Sequence, residues 1–271
     1  MNLLEALYPF FNPCASGPRS SESRVIAIVG AGGKTAALFS LAESLAAQGV
    51  SVALTTTTQI RDPRHETGRR FDRVLIDVSL MLAGTGPAAF ADGPVASGGI
   101  TVVAGATIGE GAKLQGIHPE KVRCLAGSFG AVLVEADGAK HLPIKAPAGH
   151  EPVVPEVASV VLGIIGLDSL GKPMDGRTVH RPELFGKLVG CDEGQAIETR
   201  HLASLARSER GLFKGCPPQA AKVLAFNKAD ALDREGLESF LERLGAERLD
   251  FDRLLLCSRV RVPYDEIREL Q

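Results

Sequence analysis

A glycine-rich segment followed by lysine and threonine lies near the start of the chain. It reads Gly30-Ala31-Gly32-Gly33-Lys34-Thr35 and follows an apolar run at residues 24–30. Glycines let the backbone turn so that several N–H groups point at one anion, and a following helix adds the positive end of its dipole. Lys34, expected to face solvent, would contact the terminal phosphates, and the Thr35 hydroxyl would ligate Mg²⁺. The segment therefore predicts a phosphate-binding loop.

The loop is shorter than the common pattern G-x-x-x-x-G-K-[ST], because Ile28 stands where that pattern needs glycine. It is similar to the GxxGKT loop of the Mur ligases. A dinucleotide-binding loop is the competing interpretation, but its third glycine would fall at Thr35. Its ribose-binding acid would fall where the second strand ends, and that place holds Thr55–Thr58. The threonine hydroxyls, Thr56 among them, would suit Mg²⁺-bound water or a γ-phosphate, so a dinucleotide oxidoreductase is the least favoured function.

An acidic turn follows a second apolar run. Residues 131–134 lead into Glu135-Ala136-Asp137-Gly138. A hydrophobic strand that ends in an acid is the Walker B arrangement, in which a carboxylate holds Mg²⁺ directly or through water. We expect Glu135 and Asp137 to ligate Mg²⁺ together with Thr35 and to act with Lys34 in catalysis. The Gly138 N–H would meet the γ-phosphate.

A possible base-reading motif follows a third apolar run, at residues 222–226. It reads Asn227-Lys228-Ala229-Asp230, which matches the NKxD motif of GTPases. In that motif Asp accepts hydrogen bonds from guanine, Asn orients the loop, and the Lys stem covers the ring. A weaker match, Cys257-Ser258-Arg259, stands where GTPases have a second base-contacting segment. These residues favour GTP over ATP as the bound nucleotide.

Short apolar runs alternate with amphipathic segments along the chain. Strands are predicted at 24–30, 50–58, 74–78, 100–104, 131–135, 157–165, 222–226 and 254–257, and helices at 34–48, 118–125, 181–189, 195–206 and 235–244. This alternation predicts an α/β fold with a doubly wound, mostly parallel sheet of P-loop NTPase-like type. Ligands of such sheets bind beyond the carboxyl ends of the strands, which is where the motifs above lie.

The domain organisation predicted from these elements is simple. Residues 1–23 form an N-terminal extension, and residues 24–271 form one nucleotide-binding domain with a possible helical insert near 168–220.

Composition excludes several classes of protein. The chain has 30 Lys and Arg against 32 Asp and Glu, a net charge of −2, and a pI near 6.3, which argues against a nucleic-acid partner. No apolar run reaches the roughly 18 residues of a membrane span. Five cysteines without a CxxC pair and a start without an export signal predict a reduced, cytoplasmic protein with no membrane partner.

Several segments together resemble the YqeC family. They are VIAIVGAGGKT, VALTTTTQI, VLVEADGAKHLPIKAPAGHEPVVP, GLDSLGKPMDGRTVHRPE and VLAFNKAD, and the third is the most specific. The family is described as accessory proteins of selenium-dependent molybdenum hydroxylases. The resemblance implies a molybdenum hydroxylase, or its cofactor-maturation proteins, as partner. It also implies nucleotide-binding roles for Gly30, Gly32, Gly33, Lys34, Thr35, Thr56, Glu135 and Asp137.

The segment after the acidic turn offers a second candidate site. Its residues are Lys140, Lys145, His150 and Glu151, joined by His180 and Arg181. Lys and His side chains would suit a second anion, such as a molybdenum cofactor phosphate or an oxyanion. A metal held by His150, Glu151 and Asp168 is one alternative, and a loop stiffened by prolines that serves only packing is another.

The favoured function is a Mg²⁺-dependent nucleotide-binding protein, a slow NTPase using GTP or ATP, that aids maturation of a selenium-dependent molybdenum hydroxylase. One alternative is a phosphotransferase or nucleotidyltransferase that uses the 140–151 loop as its acceptor site. Another is a non-catalytic chaperone that uses nucleotide as a switch.

Overall fold

The apolar runs of the sequence become the strands of one large sheet. A computed structural model describes residues 2–11, 24–65, 68, 70–76, 96–109, 113–258 and 267–270. Within these residues the strands are β1 (Val25–Gly30), β2 (Val52–Thr56), β3 (Gln59–Arg61), β4 (Arg73–Ile76), β5 (Ile100–Ala104), β6 (Ala106–Ile108), β7 (Lys113–Gln115), β8 (Ala131–Glu135), β9 (Ile144–Lys145), β10 (Val160–Gly166), β11 (Val179–His180), β12 (Ala221–Asn227), β13 (Arg253–Cys257) and β14 (Ile267–Leu270).

Nine of the described strands form the main sheet, in the order β14-β13-β12-β10-β1-β8-β2-β5-β4. All neighbouring pairs are parallel except β13 and β14. Strands β1, β8 and β10 are buried along their whole length, which explains why they read as continuous apolar runs without alternation. Because β1 lies between β10 and β8, the carboxyl ends of these three strands meet at one edge.

Helices cover both faces of the sheet, as expected for a doubly wound fold. They are α1 (Leu3–Leu7), α2 (Lys34–Ala47), α3 (Val122–Ser128), α4 (Pro182–Val189), α5 (Thr199–Arg207) and α6 (Arg234–Gly245). The first two belong to one hydrophobic core, and the other four contribute to the core on the opposite face. None of the helices in the described part of the chain is long and apolar enough to cross a membrane.

The predicted N-terminal extension and insert contain definite elements. Helix α1 is closed at its start by a capping box between Asn2 and Glu5, and its leucines pack with α2. Residues 12–23 lie outside the described part. The region 168–220 contains β11, α4 and α5, and α5 packs against both α4 and α6.

Two small sheets were not predicted from the sequence. Strands β9 and β11 pair in parallel and place Lys145 opposite His180. Strands β3, β7 and β6 form an antiparallel sheet beside the main one. The first of these three begins where the predicted strand 50–58 was expected to end: β2 stops at Thr56 and the chain turns into β3.

Other element boundaries differ from the predictions by a few residues. Predicted helix 118–125 begins with a 3₁₀ turn at Pro119–Lys121 and continues as α3. Predicted helix 195–206 begins only at Thr199, after Glu198, whose backbone N–H donates to His201 Nδ1 at 3.0 Å. Strand β4 ends at Ile76, and residues 77–78 of the predicted strand lie outside the described part.

Candidate functional site

The glycine loop connects β1 to α2 and depends on glycine at specific positions. Gly30, Gly32 and Gly33 have φ of 94°, 81° and 138°, a region that residues with a Cβ atom rarely adopt. A Cβ on Gly30 would overlap the Ile164 carbonyl oxygen, and one on Gly32 would lie 2.5 Å from Gly166 Cα. The loop therefore packs directly on the end of β10, and Gly30 and Gly32 are required by that close approach.

The backbone N–H groups of this loop are partly used within the protein. Those of Ala31 and Gly32 donate to the carbonyls of Ile164 (2.9 Å) and Leu142 (3.2 Å), and that of Gly30 donates to an Asp137 carboxylate oxygen (3.1 Å). These three N–H groups thus have acceptors within the protein, and the cradle of glycine N–H groups stays a prediction. An anion at the loop would instead meet the first turn of α2, where the N–H groups have no intrahelical acceptor.

Lys34 is buried, contrary to the expectation that it faces solvent. Its side chain is 4% exposed and lies 3.2 Å from Asp137 Oδ1 and 3.8 Å from Glu135 Oε1. It also donates to the Gly30 carbonyl at 2.8 Å. Burial acts to lower the pKa of Lys34, but the two carboxylates outweigh it and hold that pKa above its ordinary value. The two acids that the sequence places after β8 explain the difference.

Glu135 and Thr35 meet at the carboxyl ends of β8 and β1. The Thr35 hydroxyl donates to Glu135 Oε2 at 3.0 Å. Burial raises the pKa of Glu135, and this effect outweighs the opposing influence of Lys34 and Thr35.

Thr56 is used differently from its prediction: its hydroxyl donates to the Glu135 backbone carbonyl (2.7 Å) and accepts from the Thr58 N–H (3.1 Å). Thr56 therefore anchors the end of β8, and its side chain is fully buried.

Asp137 lies beneath the loop, where it is 2% exposed. Besides Lys34 and the Gly30 N–H, it contacts Lys145, whose Nζ is 3.0 Å from Asp137 Oδ2. Two buried lysines thus share one carboxylate. Glu135, which borders the cleft, is consequently the more accessible of the two acids.

Lys145 continues this set of charges toward the second candidate site. Its Nζ lies 2.7 Å from Glu151 Oε2 and donates to the Gly138 carbonyl, and Arg181 Nη1 donates to the same Glu151 oxygen at 2.7 Å. Burial acts to raise the pKa of Glu151, but these hydrogen bonds and charges lower it to about 2. We call the alternating series Lys34, Asp137, Lys145, Glu151 and Arg181 the ion chain. It links the two sites that the sequence suggested separately.

A cleft of about 1460 Å³ opens above these residues. The predicted site residues that line it are Gly32, Gly33, Lys34, Thr35, Glu135, Gly138, Lys140, His150, Glu151, His180, Arg181, Asn227 and Lys228. Those outside its lining are Gly30, Ala31, Thr56, Asp137, Lys145 and Asp230.

The cleft also contains residues that sequence reasoning missed. They are Ala36, Gln59, Ile60, Arg61, Lys113, Gln115, Ala139, His141, Leu142 and Val153. Thr57 and Thr58, which the sequence suggested as part of the Thr55–Thr58 run, also line the cleft. Several come from the β3-β7-β6 sheet, whose three-residue strands are too short to produce a periodic signal. His141 had one signal in the sequence, its position next to Lys140. Ser258 was noted as part of the weak base-contacting match, and it does line the cleft.

The NKAD segment holds the glycine loop from the far side. Asn227 Nδ2 donates to the Gly32 carbonyl at 2.8 Å, which fits the predicted role of Asn in orienting the loop. Lys228 pairs with Asp168 at 2.7 Å. Asp230 is exposed in a 3₁₀ turn. The segment thus contacts the glycine loop through its first residue.

Metal ligation by side chains alone is not supported by this geometry. Among the residues that the structure describes, no group of three or more His, Cys, Asp and Glu could hold a metal ion. The alternative with His150, Glu151 and Asp168 is therefore wrong. A Mg²⁺ ion held by one or two protein oxygens together with phosphates and water remains compatible, because Mg²⁺ keeps much of its hydration in nucleotide sites.

Comparison with known proteins assigns the chain to a family. The family model described as YqeC protein matches residues 26–183. That range includes the glycine loop, the acidic turn and the whole ion chain, and it ends before the NKAD segment. The protein YqeC of Escherichia coli (strain K12) is 32% identical over 206 residues, which is 75% of each chain. No solved structure matches the chain significantly. This chain belongs to the YqeC family.

Proposed function

We propose that this protein is a cytoplasmic, Mg²⁺-dependent nucleotide-binding protein and a slow NTPase. The observation that carries the proposal is the meeting of Lys34, Thr35 and Glu135 at the carboxyl ends of two adjacent strands, beside the N-terminus of α2. An ammonium, a hydroxyl and a carboxylate on one cleft are the groups that a metal-bound triphosphate requires. The role in maturation of a selenium-dependent molybdenum hydroxylase rests on the family resemblance.

The residues of this group suit Mg²⁺ and phosphate. Thr35 Oγ1 and Glu135 Oε2 are 3.0 Å apart, and hard oxygen ligands of this kind are the ones Mg²⁺ prefers. The ion would neutralise charge on the phosphates. Lys34 would exchange its contact with Asp137 for a phosphate oxygen, and its charge is retained because its pKa is raised. As a ligand of the ion, Glu135 would help to position the attacking water.

GTP is the favoured nucleotide in this proposal. The support is the hydrogen bond from Asn227 to the Gly32 carbonyl, which joins the NKAD segment to the phosphate loop. Asp230 would then read the base. Substituting Asp230→Asn should shift preference from guanine toward xanthine nucleotides, and equal competition by ATP and GTP in the unaltered protein would argue that NKAD is coincidental.

Thr35 offers the sharpest test of the proposal. Thr35→Val keeps the shape of the side chain but removes the hydroxyl, so Mg²⁺-dependent phosphate release should fall at least about tenfold. Thr35→Ser keeps the hydroxyl and is the matched control, with activity close to that of the unaltered protein. Equal activity of the two variants, or no binding of Mg²⁺-GTP or Mg²⁺-ATP by calorimetry, would reject the nucleotide function.

A phosphotransferase is the second candidate, and the size of the cleft favours it. Ligand pockets typically occupy about 300–1,000 Å³, whereas this cleft has about 1460 Å³ and can hold a second molecule. Its 138–151 wall would provide the acceptor site. Phosphate transfer that depends on an added small molecule would select this candidate over simple hydrolysis.

A further inference from the structure

The residues of this protein with a left-handed backbone conformation are unusual in type and in location. In the described part of the chain, four residues other than glycine have positive φ: Lys140 (49°), His141 (61°), Arg181 (67°) and Lys228 (62°). All four carry basic side chains, and all four line the cleft. Glycine would adopt the same backbone conformation with less strain. The basic residues at these positions therefore indicate that their side chains have a role that offsets the strain. Strained backbone of this kind is characteristic of binding sites.

Lys140 and His141 differ from the other two because no acid holds them. Arg181 is paired with Glu151 and Lys228 with Asp168. Lys140 and His141 are exposed on the cleft wall, and no ion pair or hydrogen bond engages either side chain among the described residues. The acids that border the cleft in this part of the chain, Glu135 and Glu151, form their ion pairs with lysines and Arg181, and His141 acts on Glu135 only through its charge.

A third basic residue stands close to this pair. His180 lies opposite Lys145 in the β9–β11 sheet and also lines the cleft. Burial lowers the pKa of His180, and so do the charges of Arg181, Lys145 and Lys140. Lys140 is thus near enough for its charge to act on His180, and the charge of Glu151 acts on His180 in the opposite sense. Three basic side chains, Lys140, His141 and His180, therefore line this part of the cleft.

We propose that Lys140, His141 and His180 form a second anion site that takes the phosphate group of a small phosphorylated substrate. An ammonium and two imidazoles supply several separate donors, which match the three acceptor oxygens of a phosphate monoester better than the two of a carboxylate. The site lies beside the glycine loop, whose Gly32 N–H donates to the carbonyl of Leu142, the residue after His141, at 3.2 Å. Its assignment as the acceptor site rests on the proposed function, but its binding of phosphate does not.

Titration of the full-length protein with inorganic phosphate tests the site. Lys140→Gly removes the charge while accommodating the left-handed backbone, and it should weaken phosphate binding about tenfold or more. The same variant should raise the unfolding midpoint by about 2 °C, because strain is relieved. His141→Gly should act in the same direction. The control is Lys172→Gly, which removes an exposed charge outside the cleft and should leave phosphate affinity unchanged.

Phenyl phosphate and acetate distinguish the ligand classes. Binding of phenyl phosphate at least as tight as that of inorganic phosphate supports a phosphorylated substrate. Equal loss of affinity in Lys140→Gly and Lys172→Gly, or acetate binding as tightly as phosphate, would overturn the proposal. Thr35→Val separates this result from the nucleotide function: it should impair Mg²⁺-nucleotide turnover and leave phosphate binding at Lys140 intact.

Discussion

The two walls of the cleft reach a left-handed backbone by opposite means. At the glycine loop the residues are glycines, because Gly30 and Gly32 press against the backbone of β10 and leave no room for a Cβ atom. On the adjoining wall the residues are Lys140, His141 and Arg181, which have space for their side chains. Glycine thus occurs where the backbone packs closely on β10, and basic residues occur where side chains line the cleft.

The two walls also differ in how their charges are balanced. Lys34 at the loop is buried against two carboxylates, whereas Lys140 and His141 are exposed. The ion chain from Lys34 to Arg181 connects them through the protein interior. A buried alternating series fixes the position of each member, because loss of any one charge leaves its neighbour without compensation.

The largest expected effect tests how closely the glycine loop packs against its neighbours. Gly32→Ala would place a Cβ atom 2.5 Å from Gly166 Cα and 2.7 Å from the Pro143 carbonyl oxygen, and backbone atoms cannot give way cheaply. We expect a loss of about 4 kcal/mol in the free energy of unfolding, measured in urea. Gly138→Ala is the control, because a Cβ there meets nothing within 4 Å; it should change stability by less than about 0.5 kcal/mol. Similar losses in both variants would show that close packing does not distinguish the loop.

A prediction of intermediate size tests the ion chain through the pH dependence of the free energy of unfolding. The pKa of Glu151 is lowered from 4.5 to about 2 in the folded protein, so below pH 4.5 the unfolded chain binds its proton first. The stabilisation is present above pH 4.5 and disappears as the pH falls toward 2, a change on the order of 3 kcal/mol. Unfolding at a series of pH values should show this slope in the unaltered protein and a reduced slope in Glu151→Gln. Glu238→Gln, at an exposed helical pair, should leave the slope unchanged, and an identical slope in all three proteins would contradict the prediction.

The smallest effect compares two lysines that have a left-handed backbone conformation. Lys228→Gly relieves backbone strain of about 1 kcal/mol but removes the partly exposed ion pair with Asp168, worth about 0–1 kcal/mol. Its net effect on stability should therefore lie near zero, within about 1 kcal/mol. Lys140→Gly loses no ion pair among the described residues and should stabilise by about 1 kcal/mol. Chemical denaturation of both variants provides the measurement, and a more destabilised Lys140→Gly would show that Lys140 serves the fold.

The amino-acid sequence by itself determined those features that depend on neighbouring residues. Apolar β-branched runs predicted most strands of the main sheet, because strands buried on both faces need no polar residue. The glycine loop before α2 and the acids after β8 could be located for the same reason: each follows directly on its strand. Their convergence at one edge followed from the rule that ligands of parallel sheets bind beyond the carboxyl ends.

Tertiary structure alone decided how those residues are used. Lys34 is buried, and Asp137 faces two lysines, because β1 and β8 are adjacent in the sheet although about a hundred residues separate them. Lys145 lies opposite His180 because β9 pairs with β11, two strands too short to be seen in a pattern. The sequence does not predict the left-handed backbone at Lys140 and His141, because lysine and histidine ordinarily avoid that conformation. These features depend on strand order and on contacts distant in sequence, which spacing along the chain does not encode.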